Sequence, residues 1–301
     1  MMPNPLKVLT TPEYLFRPRQ IATRIKRQFV KPTQAIETVR LPWGTSFRIR
    51  PSEVIGANIW YYGVFELLVA ETIARLMDRG ETAIDIGANV GQMTTLMRRL
   101  AGSGGRVSAF EAHPEIFAEL RANMELASQQ PDAAQVELHN VGLSDTQGAG
   151  SLDPGPEWQN NRGMARVTGP AADGGARIKI QLRMLDDLLP PGTKCGVCKI
   201  DVEGHELQVL RGAMKALAGG AIRDIVFEDL AGSGTPVQKL LLEHGFTLFV
   251  LQQRLFGPAL RRLENERPAK RDEDTYNFLA TKGPERALAR FRPRGWKCLG
   301  L

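Results

Sequence analysis

The stretch TAIDIGANVGQMTTLMRRLA, residues 82–101, decides the fold class. Residues 82–86 are a short apolar run of the kind found in buried strands, and residues 91–101 carry apolar side chains at helical spacing. Gly87 and Gly91 flank a short segment between the two patterns. Because glycine has no Cβ, the backbone at these positions can turn sharply and approach a ligand. The stretch therefore predicts a strand, a tight glycine loop and a helix, the repeating unit of a parallel α/β sheet.

Outward from this unit, apolar strands alternate with helix-periodic segments. Segments 246–251 and 276–281 have the pattern of an antiparallel pair, and the Gly-, Pro- and Asn-rich segment 150–178 is predicted to be a long loop. We therefore expect an α/β fold, a doubly wound, Rossmann-like and mostly parallel sheet that ends in an antiparallel hairpin. The predicted strands are 82–86, 106–111, 136–143, 196–201 and 224–228, and the predicted helices are 64–77, 91–101, 114–127, 204–218 and 235–244.

Ligands of such sheets bind outside the carboxyl ends of the strands, so the residues there indicate the cofactor. The loop after the first strand lacks both the G-x-G-x-x-G spacing of a dinucleotide site and the lysine of a phosphate-binding P-loop. Asp85 at the strand end would repel phosphate and attract a cation, and Glu111 at the next strand end can accept the hydrogens of a ribose diol. A ligand with a ribose and a positive charge but no phosphate is S-adenosylmethionine.

The stretch KIDVEGHELQVL, residues 199–210, offers three further candidates, Asp201, Glu203 and His205. On one extended strand these alternating residues would share a face and could gather a metal ion. Gly204 and the leucine periodicity that follows oppose that geometry, because they place His205 in the first turn of a helix. We expect Asp201 and Glu203 to be site residues and predict no metal ligands, while a capping role and a metal site remain the alternatives.

Five motifs follow one another in the same order as in the FkbM-type methyltransferases, which the chain resembles from about Tyr62 to Thr281. They are AIDIGANVGQMTTLM, FEAHP, LSD, MLDDLL and CKIDVEGHELQVLRGA. The resemblance implies a class I methyltransferase sheet, S-adenosylmethionine as the methyl donor, and a hydroxyl acceptor on a sugar, glycan or secondary metabolite. Carried over by position, the resemblance implies that Glu111 holds the ribose, that Asp145 lies near the adenine, and that Asp201 and Glu203 face the methyl group. Glu66 matches a glutamate that the family places ahead of the first strand. The implied cofactor loop consists of Asp85, Gly87, Ala88, Asn89 and Gly91.

Methyl transfer is an in-line displacement at the sulfonium carbon, so the enzyme contributes mainly the alignment of the reacting atoms. A hydroxyl is a weak nucleophile, and a carboxylate or imidazole that takes its proton adds about 10²–10⁴-fold. Asp201, Glu203 and His205 are the predicted catalytic residues, and Glu228 at the end of the fifth strand is a further candidate. His113 and His139 are less favoured because one follows the ribose acid and the other lies inside a predicted strand.

The net charge of +6 belongs to the two ends of the chain. Residues 1–40 and 254–301 each carry +6, which leaves the middle acidic. We therefore divide the chain into a basic N-terminal extension over 1–40, a methyltransferase domain over 41–281 and a basic C-terminal tail over 282–301. Residues 18–30 have the pattern of a basic amphipathic helix, which either docks on its own domain or touches an anionic membrane surface or nucleic acid.

Other features of the sequence bound the cellular setting and the alternatives. No apolar run is long enough for a membrane span or a secretory signal, and three cysteines do not make a disulfide framework, so we expect a cytoplasmic protein. Aromatic residues are not interleaved with the basic ends, which disfavours nucleic acid as the acceptor. A nucleic-acid or protein methyltransferase and a non-catalytic binding protein remain the rival functions. Acceptor selection is predicted in the 150–178 loop, with Trp158, Asn160, Asn161 and Arg162, and around Trp60, Tyr61 and Tyr62.

Overall fold

A large central sheet carries the predicted parallel strands. The protein is described by a computed structural model over residues 11–17, 21, 27, 29–30, 33–155, 162, 165–168, 177–232, 234–263 and 276–301. Five adjacent strands of this sheet are parallel and three at one end are antiparallel, so the prediction of a doubly wound, mostly parallel sheet is confirmed. The order is β13-β12-β14-β11-β10-β3-β4-β5, with β3 Thr82–Ile86, β4 Arg106–Phe110, β5 Gln135–His139, β10 Cys195–Ile200, β11 Ile222–Glu228, β12 Thr247–Gln252, β13 Ala259–Arg262 and β14 Asn277–Thr281.

Helices cover both faces of the sheet because successive strand residues point to opposite sides. The helices are α1 Pro12–Leu15, α2 Val54–Tyr62, α3 Leu67–Leu76, α4 Gln92–Ala101, α5 Pro114–Ala127, α6 Leu185–Leu188, α7 Glu206–Arg211, α8 Met214–Ala218, α9 Pro236–Glu243 and α10 Pro284–Phe291, with a 3₁₀ turn at Lys297–Leu299. Ala83 and Val197 face the core beneath α3 and α4, whereas Ile84 and Cys198 face the core beneath α7 to α9.

The antiparallel end of the sheet is larger than a hairpin. The predicted pair forms as β12 and β14, but β14 lies between β11 and β12, and the additional strand β13 pairs with β12 at the edge. The predicted helix over 204–218 divides into α7 and α8 at Gly212, where a Cβ would lie 2.0 Å from the carbonyl oxygen of Ser144. The Asp186 carboxylate caps α8 by accepting the backbone N–H groups of Lys215 and Ala216 at 2.7 and 2.9 Å.

Part of the segment 150–178 that the sequence predicted as loop is strand. Four strands form a second sheet with the order β6-β9-β7-β8. Leu152, Ile180 and Leu182 form a small hydrophobic core of its own that stabilises it. Its strands are β6 Gly142–Leu143, β7 Gly148–Asp153, β8 Arg166–Thr168 and β9 Ile178–Arg183. The predicted strand 136–143 accordingly splits into β5 and β6 at Asn140, whose side-chain amide donates to the carbonyl oxygens of Glu111 and Ala112.

Both ends of the chain contribute to the core. Strands β1 Glu37–Arg40 and β2 Ser46–Ile49 form a hairpin, and the indole N–H of Trp43 in its turn donates to the Thr95 hydroxyl at 3.0 Å. At the other end, Phe291 and Trp296 are buried in the core beside α3, so the segment expected as a basic tail carries an apolar face. The predicted amphipathic helix over 18–30 lies largely outside the described residues.

Two further findings concern the cysteines and the membrane. Cys195, Cys198 and Cys298 are buried free thiols, and the first two lie within β10. In the ranges that the structure describes, no helix has both the length and the apolar character needed to cross a membrane.

Candidate active site

The glycine loop after β3 is packed directly against the end of β10. Gly87 has a φ of +74°, and a Cβ on it would lie 1.8 Å from the carbonyl oxygen of Asp201, so any larger residue would push the two strand ends apart. Gly91 has a φ of +93° and caps α4, and a Cβ there would lie 2.5 Å from a methyl group of Leu120. Gly87 is therefore required by close packing against backbone as well as by its conformation, whereas Gly91 is required mainly by its conformation, because the Leu120 methyl group can move aside.

Glu111 joins the end of β4 to this loop. Its Oε2 atom accepts the backbone N–H of Asn89 at 2.9 Å, and its Oε1 atom accepts the N–H of His113 at 2.8 Å. Burial raises the pKa of Glu111 to about 7, although these two hydrogen bonds favour the ionised form. The carboxylate faces a cleft of about 350 Å³, where a ligand with hydroxyl groups can meet it.

Asp85 lies beneath the loop and outside the lining of the cleft. The Thr94 hydroxyl donates to its Oδ2 atom at 2.6 Å, and the Lys199 ammonium lies 3.8 Å from its Oδ1 atom. Burial raises the pKa of Asp85, while Lys199 and Thr94 oppose that rise. Asp85 is placed to support the loop from below.

Four carboxylates meet at one end of the cleft: Glu66, Asp201, Glu203 and Glu228. Burial raises the pKa of Glu66, and the charges of Asp201 and Glu228 raise it further. Burial together with Asp201 and Glu203 raises the pKa of Glu228 to about 7, and burial raises that of Glu203. This end of the cleft can attract a cation and accept a proton near neutral pH.

Strained backbone marks the same cleft. Glu66, Asn89 and Glu203 have φ values of +51°, +50° and +53°, in the left-handed region that residues with a Cβ adopt at a cost. Asp132 is the remaining non-glycine residue with positive φ within the described ranges, and it lies in an exposed turn. The concentration of strain around one cleft is what a functional site would produce.

His205 and Asp145 lie away from the cleft lining. The Nε2 atom of His205 lies 3.0 Å from the Ser144 hydroxyl, and burial lowers the pKa of this imidazole. Glu203 and Gly204 both have positive φ, so the chain turns between Asp201 and His205 and their side chains do not share a strand face. Glu206 fixes this turn by accepting the N–H groups of Val202 and Gly204 at 3.2 Å.

Apolar side chains of the second sheet, Leu152, Val167 and Leu143, also line the cleft. Arg162 also lines the cleft, and its guanidinium bridges Glu53 and Glu119, with both N–O distances 2.9 Å. Trp158, Asn160 and Asn161, the other predicted acceptor residues of this segment, lie outside the described residues. Tyr61 and Trp60 pack edge to face outside the cleft, and the Arg27 guanidinium lies over the Trp60 ring.

Residues 85–248 match the model of the methyltransferase FkbM domain, more than half of the chain. The chain belongs to the FkbM methyltransferase family. The resemblance seen in the sequence is thereby confirmed, and S-adenosylmethionine is the cofactor that this family uses, as predicted.

The chain is similar in sequence to two methyltransferases whose names state a substrate. It is 33% identical over 162 residues to the hexuronic acid methyltransferase AglP of Haloferax volcanii, covering 53% of this chain and 60% of AglP. It is 29% identical over 255 residues to the 31-O-demethyl-FK506 methyltransferase FkbM of Streptomyces tacrolimicus, covering 75% of this chain and 94% of that protein.

Among solved structures, the methyltransferase FkbM from Methylobacillus flagellatus is similar with a TM-score of 0.44 at 16% identity, covering 66% of this chain and 43% of that one. The S-adenosylmethionine-dependent O-methyltransferase from Thermotoga maritima gives a TM-score of 0.41 at 16% identity, covering 86% and 80%.

The donor set of this FkbM cleft fits S-adenosylmethionine. A carboxylate at the end of β4 and an acid-rich end suit a ribose and a sulfonium charge. Within the described part of the chain, no group of three or more His, Cys, Asp or Glu residues is arranged to hold a metal ion. Of the ten predicted cofactor-binding and catalytic residues, the structure brings six to the cleft, namely Gly87, Ala88, Asn89, Glu111, Asp201 and Glu203, and leaves Asp85, Gly91, Asp145 and His205 outside its lining. The further candidates Glu66, Glu228 and Arg162 also line it.

Lys199 is a charged residue of the FkbM cleft that the sequence analysis missed. Lys199 lies in β10 with its side chain 6% exposed, and its ammonium lies 3.1 Å from Asp201 Oδ2. A lysine inside the apolar run CGVCKI is the signal that could have found it, because lysine is almost never fully buried without a partner.

Proposed function

We propose that the protein is an S-adenosylmethionine-dependent O-methyltransferase whose acceptor is a hydroxyl on a sugar, a glycan or a small secondary metabolite. The observation that carries the proposal is the meeting of Glu66, Asp201, Glu203 and Glu228 at one end of the cleft that Glu111 and the glycine loop also line. That arrangement combines a place for the cofactor with groups that can take a hydroxyl proton.

When bound, S-adenosylmethionine supplies a methyl group on a positively charged sulfur. Glu111 and the loop around Gly87 and Asn89 would hold the cofactor. Asp201 or Glu203 would accept the proton of the acceptor hydroxyl, so that its oxygen gains nucleophilicity as it is aligned for in-line attack. The acidic surroundings favour the cationic donor over the neutral product, which assists release after transfer.

The names of the relatives support this acceptor class. AglP is named for a hexuronic acid and the Streptomyces protein for an O-demethyl macrolide, one a sugar acid and the other a secondary metabolite. The leucine, valine and alanine side chains that line the cleft suit a ring system, and Arg162 adds a polar group to the lining.

The test is release of S-adenosylhomocysteine from S-adenosylmethionine in the presence of hexuronic acids, neutral methyl glycosides, hydroxylated macrolides and transfer RNA. We expect turnover with one of the three hydroxylated small-molecule classes and none with RNA. Asp201→Asn should lower turnover about 100-fold or more while changing cofactor affinity less than about threefold, and Glu243→Gln, which alters an exposed glutamate, should change neither. Turnover on RNA alone, or wild-type turnover in Asp201→Asn, would contradict the proposal.

A further inference from the structure

Lys199 is a buried cation at the centre of the proposed site. It lies in β10, is 5% exposed, and its Nζ atom donates to the carbonyl oxygen of Gly87 at 3.0 Å. The same ammonium lies 3.1 Å from Asp201 Oδ2 and 3.8 Å from Asp85 Oδ1. One side chain therefore contacts the end of β3, the first residue of the glycine loop and the first residue after β10.

The sheet register explains why these groups meet. Lys199 pairs with Asp85 in the parallel register of β10 and β3, so the two side chains project from neighbouring positions on the same face. Asp85 is fully buried, and its Oδ1 atom has no hydrogen-bond partner within the described residues. A buried carboxylate without a counter-charge is costly, and Lys199 supplies that charge.

Lys199 also faces a larger negative field. Burial alone would lower the pKa of Lys199, but the carboxylates of Asp201 and Asp85 raise it, so the side chain stays charged. Removing that charge would leave a set of carboxylates to repel one another. Those within its field are Asp85, Asp201, Glu66, Glu111, Glu203 and Glu228.

We propose that Lys199 is the positioning residue of this site, a single ammonium that ties the cofactor loop at Gly87 to Asp201 and supplies the counter-charge for Asp85. The proposal rests on the proposed function, because it treats this cleft as the methyl-transfer site. Lys199 lines the cleft, but its ammonium is held by Gly87, Asp201 and Asp85, so it acts through these groups. The contact with Gly87 would fix the loop for cofactor binding, and the contact with Asp201 would fix its carboxylate.

The first experiment is a carboxyl carbon NMR titration of the cofactor-free protein, with the Asp85 resonance assigned from its loss in Asp85→Asn. In Lys199→Met we expect the pKa of Asp85 to rise by about 1 to 3 pH units, because an opposite charge at this distance lowers a carboxyl pKa by that amount. Lys199→Arg, which keeps the charge, should leave it near the wild-type value. Lys239→Met, which removes a lysine from an exposed helix face, should leave it unchanged.

The second experiment is calorimetric titration of S-adenosylmethionine into the same variants. Lys199→Met should bind about tenfold more weakly or worse, because a hydrogen bond from a charged donor to the loop is lost. A wild-type pKa for Asp85 in Lys199→Met, or wild-type cofactor affinity in that variant, would overturn the proposal. If the wild-type protein binds no cofactor, the proposed function fails, and the titration of Asp85 still decides the role of Lys199.

A second pair of variants covers the case in which Lys199→Met does not fold. The double variant Lys199→Met with Asp85→Asn removes both members of the buried pair, so that Asp85 is not left as a buried charge without its counter-charge. It should bind S-adenosylmethionine about tenfold more weakly than Asp85→Asn alone, since only the double variant lacks the contact with the Gly87 carbonyl. Equal affinity in the two variants would overturn the positioning role.

Discussion

The Oε2 atom of Glu111 accepts the backbone N–H of Asn89 at 2.9 Å, so the acid at the end of β4 is tied to the loop at the end of β3. Asn89 holds a left-handed conformation with φ of +50°, which aims its N–H at the carboxylate. Glu111 therefore has two tasks, to hold the loop and to offer a carboxylate to the cofactor ribose. Both tasks require the ionised form.

Cofactor affinity should consequently depend on pH. Burial raises the pKa of Glu111 to about 7, so the carboxyl is mostly protonated at pH 6 and mostly ionised at pH 8. We expect S-adenosylmethionine to bind more tightly as the pH rises across this range, by up to about tenfold per pH unit on the acid side. Calorimetric titrations at pH 6, 7 and 8 measure the effect. Glu111→Gln should bind the cofactor weakly at every pH. If Glu111→Gln kept the wild-type pH dependence of binding, that dependence would belong to another titrating group.

The contact between Gly87 and Asp201 gives a second prediction. Gly87→Ala places a methyl group 1.8 Å from a backbone oxygen, which cannot rotate away, in a conformation that disfavours a Cβ. We expect a loss of about 2–4 kcal/mol in the free energy of unfolding and no measurable cofactor binding. Urea unfolding and calorimetry measure the two effects.

Gly80→Ala is the matched control for this substitution. Gly80 also has a positive φ, of +83°, but no atom lies within 4 Å of the position that the added methyl group would take, and the residue is remote from the cleft. The substitution should cost about 1 kcal/mol and keep wild-type cofactor affinity. Equal losses in the two variants would mean that backbone strain, and not the approach to Asp201, makes Gly87 necessary.

The sequence predicted the parallel strands and their carboxyl ends because these depend on local pattern: an apolar run, then glycine or an acid, then a helix. Residues that share that edge of the sheet, such as Glu111 and Asp201, were therefore expected near one another, and both line the cleft. The alternation of Asp201, Glu203 and His205 does not create a shared strand face, because positive φ at Glu203 and Gly204 turns the chain, as Gly204 and the leucine periodicity had suggested.

Features set by long-range packing could not be read from local pattern. The second sheet buries Leu152 against Ile180, and although Ile178, Ile180 and Leu182 alternate as in a strand, Leu152 is an isolated apolar side chain in a glycine-rich segment far from them along the chain. The role of Lys199 depends on the register of β10 against β3, which a single sequence does not specify. The buried C-terminal segment is similar, because its basic residues dominate the composition while its few apolar residues face α3.

Coupling between the acids of the cleft gives a third prediction. Burial raises the pKa of Glu66, and the Glu228 carboxylate contributes to that rise because two like charges resist ionising together. Glu228→Gln removes one negative charge and should lower the pKa of Glu66. Carboxyl NMR titration of the cofactor-free protein measures it, with the Glu66 resonance assigned from Glu66→Gln. Glu243→Gln serves as the control, and an unchanged titration of Glu66 in Glu228→Gln would show that the two carboxylates do not interact.

The last prediction concerns the C-terminal segment. Trp296 is 4% exposed, packs in the core beside α3, and its indole N–H donates to the carbonyl oxygen of Leu255 at 3.1 Å. Trp296→Ala should lower the free energy of unfolding by about 3–5 kcal/mol, because it leaves a large cavity and an unpaired carbonyl. Arg292→Ala, at an exposed position four residues earlier, should change it by less than about 0.5 kcal/mol. Urea unfolding distinguishes the two, and equal, small effects would mean that the segment is the basic tail that its composition suggested and not part of the domain.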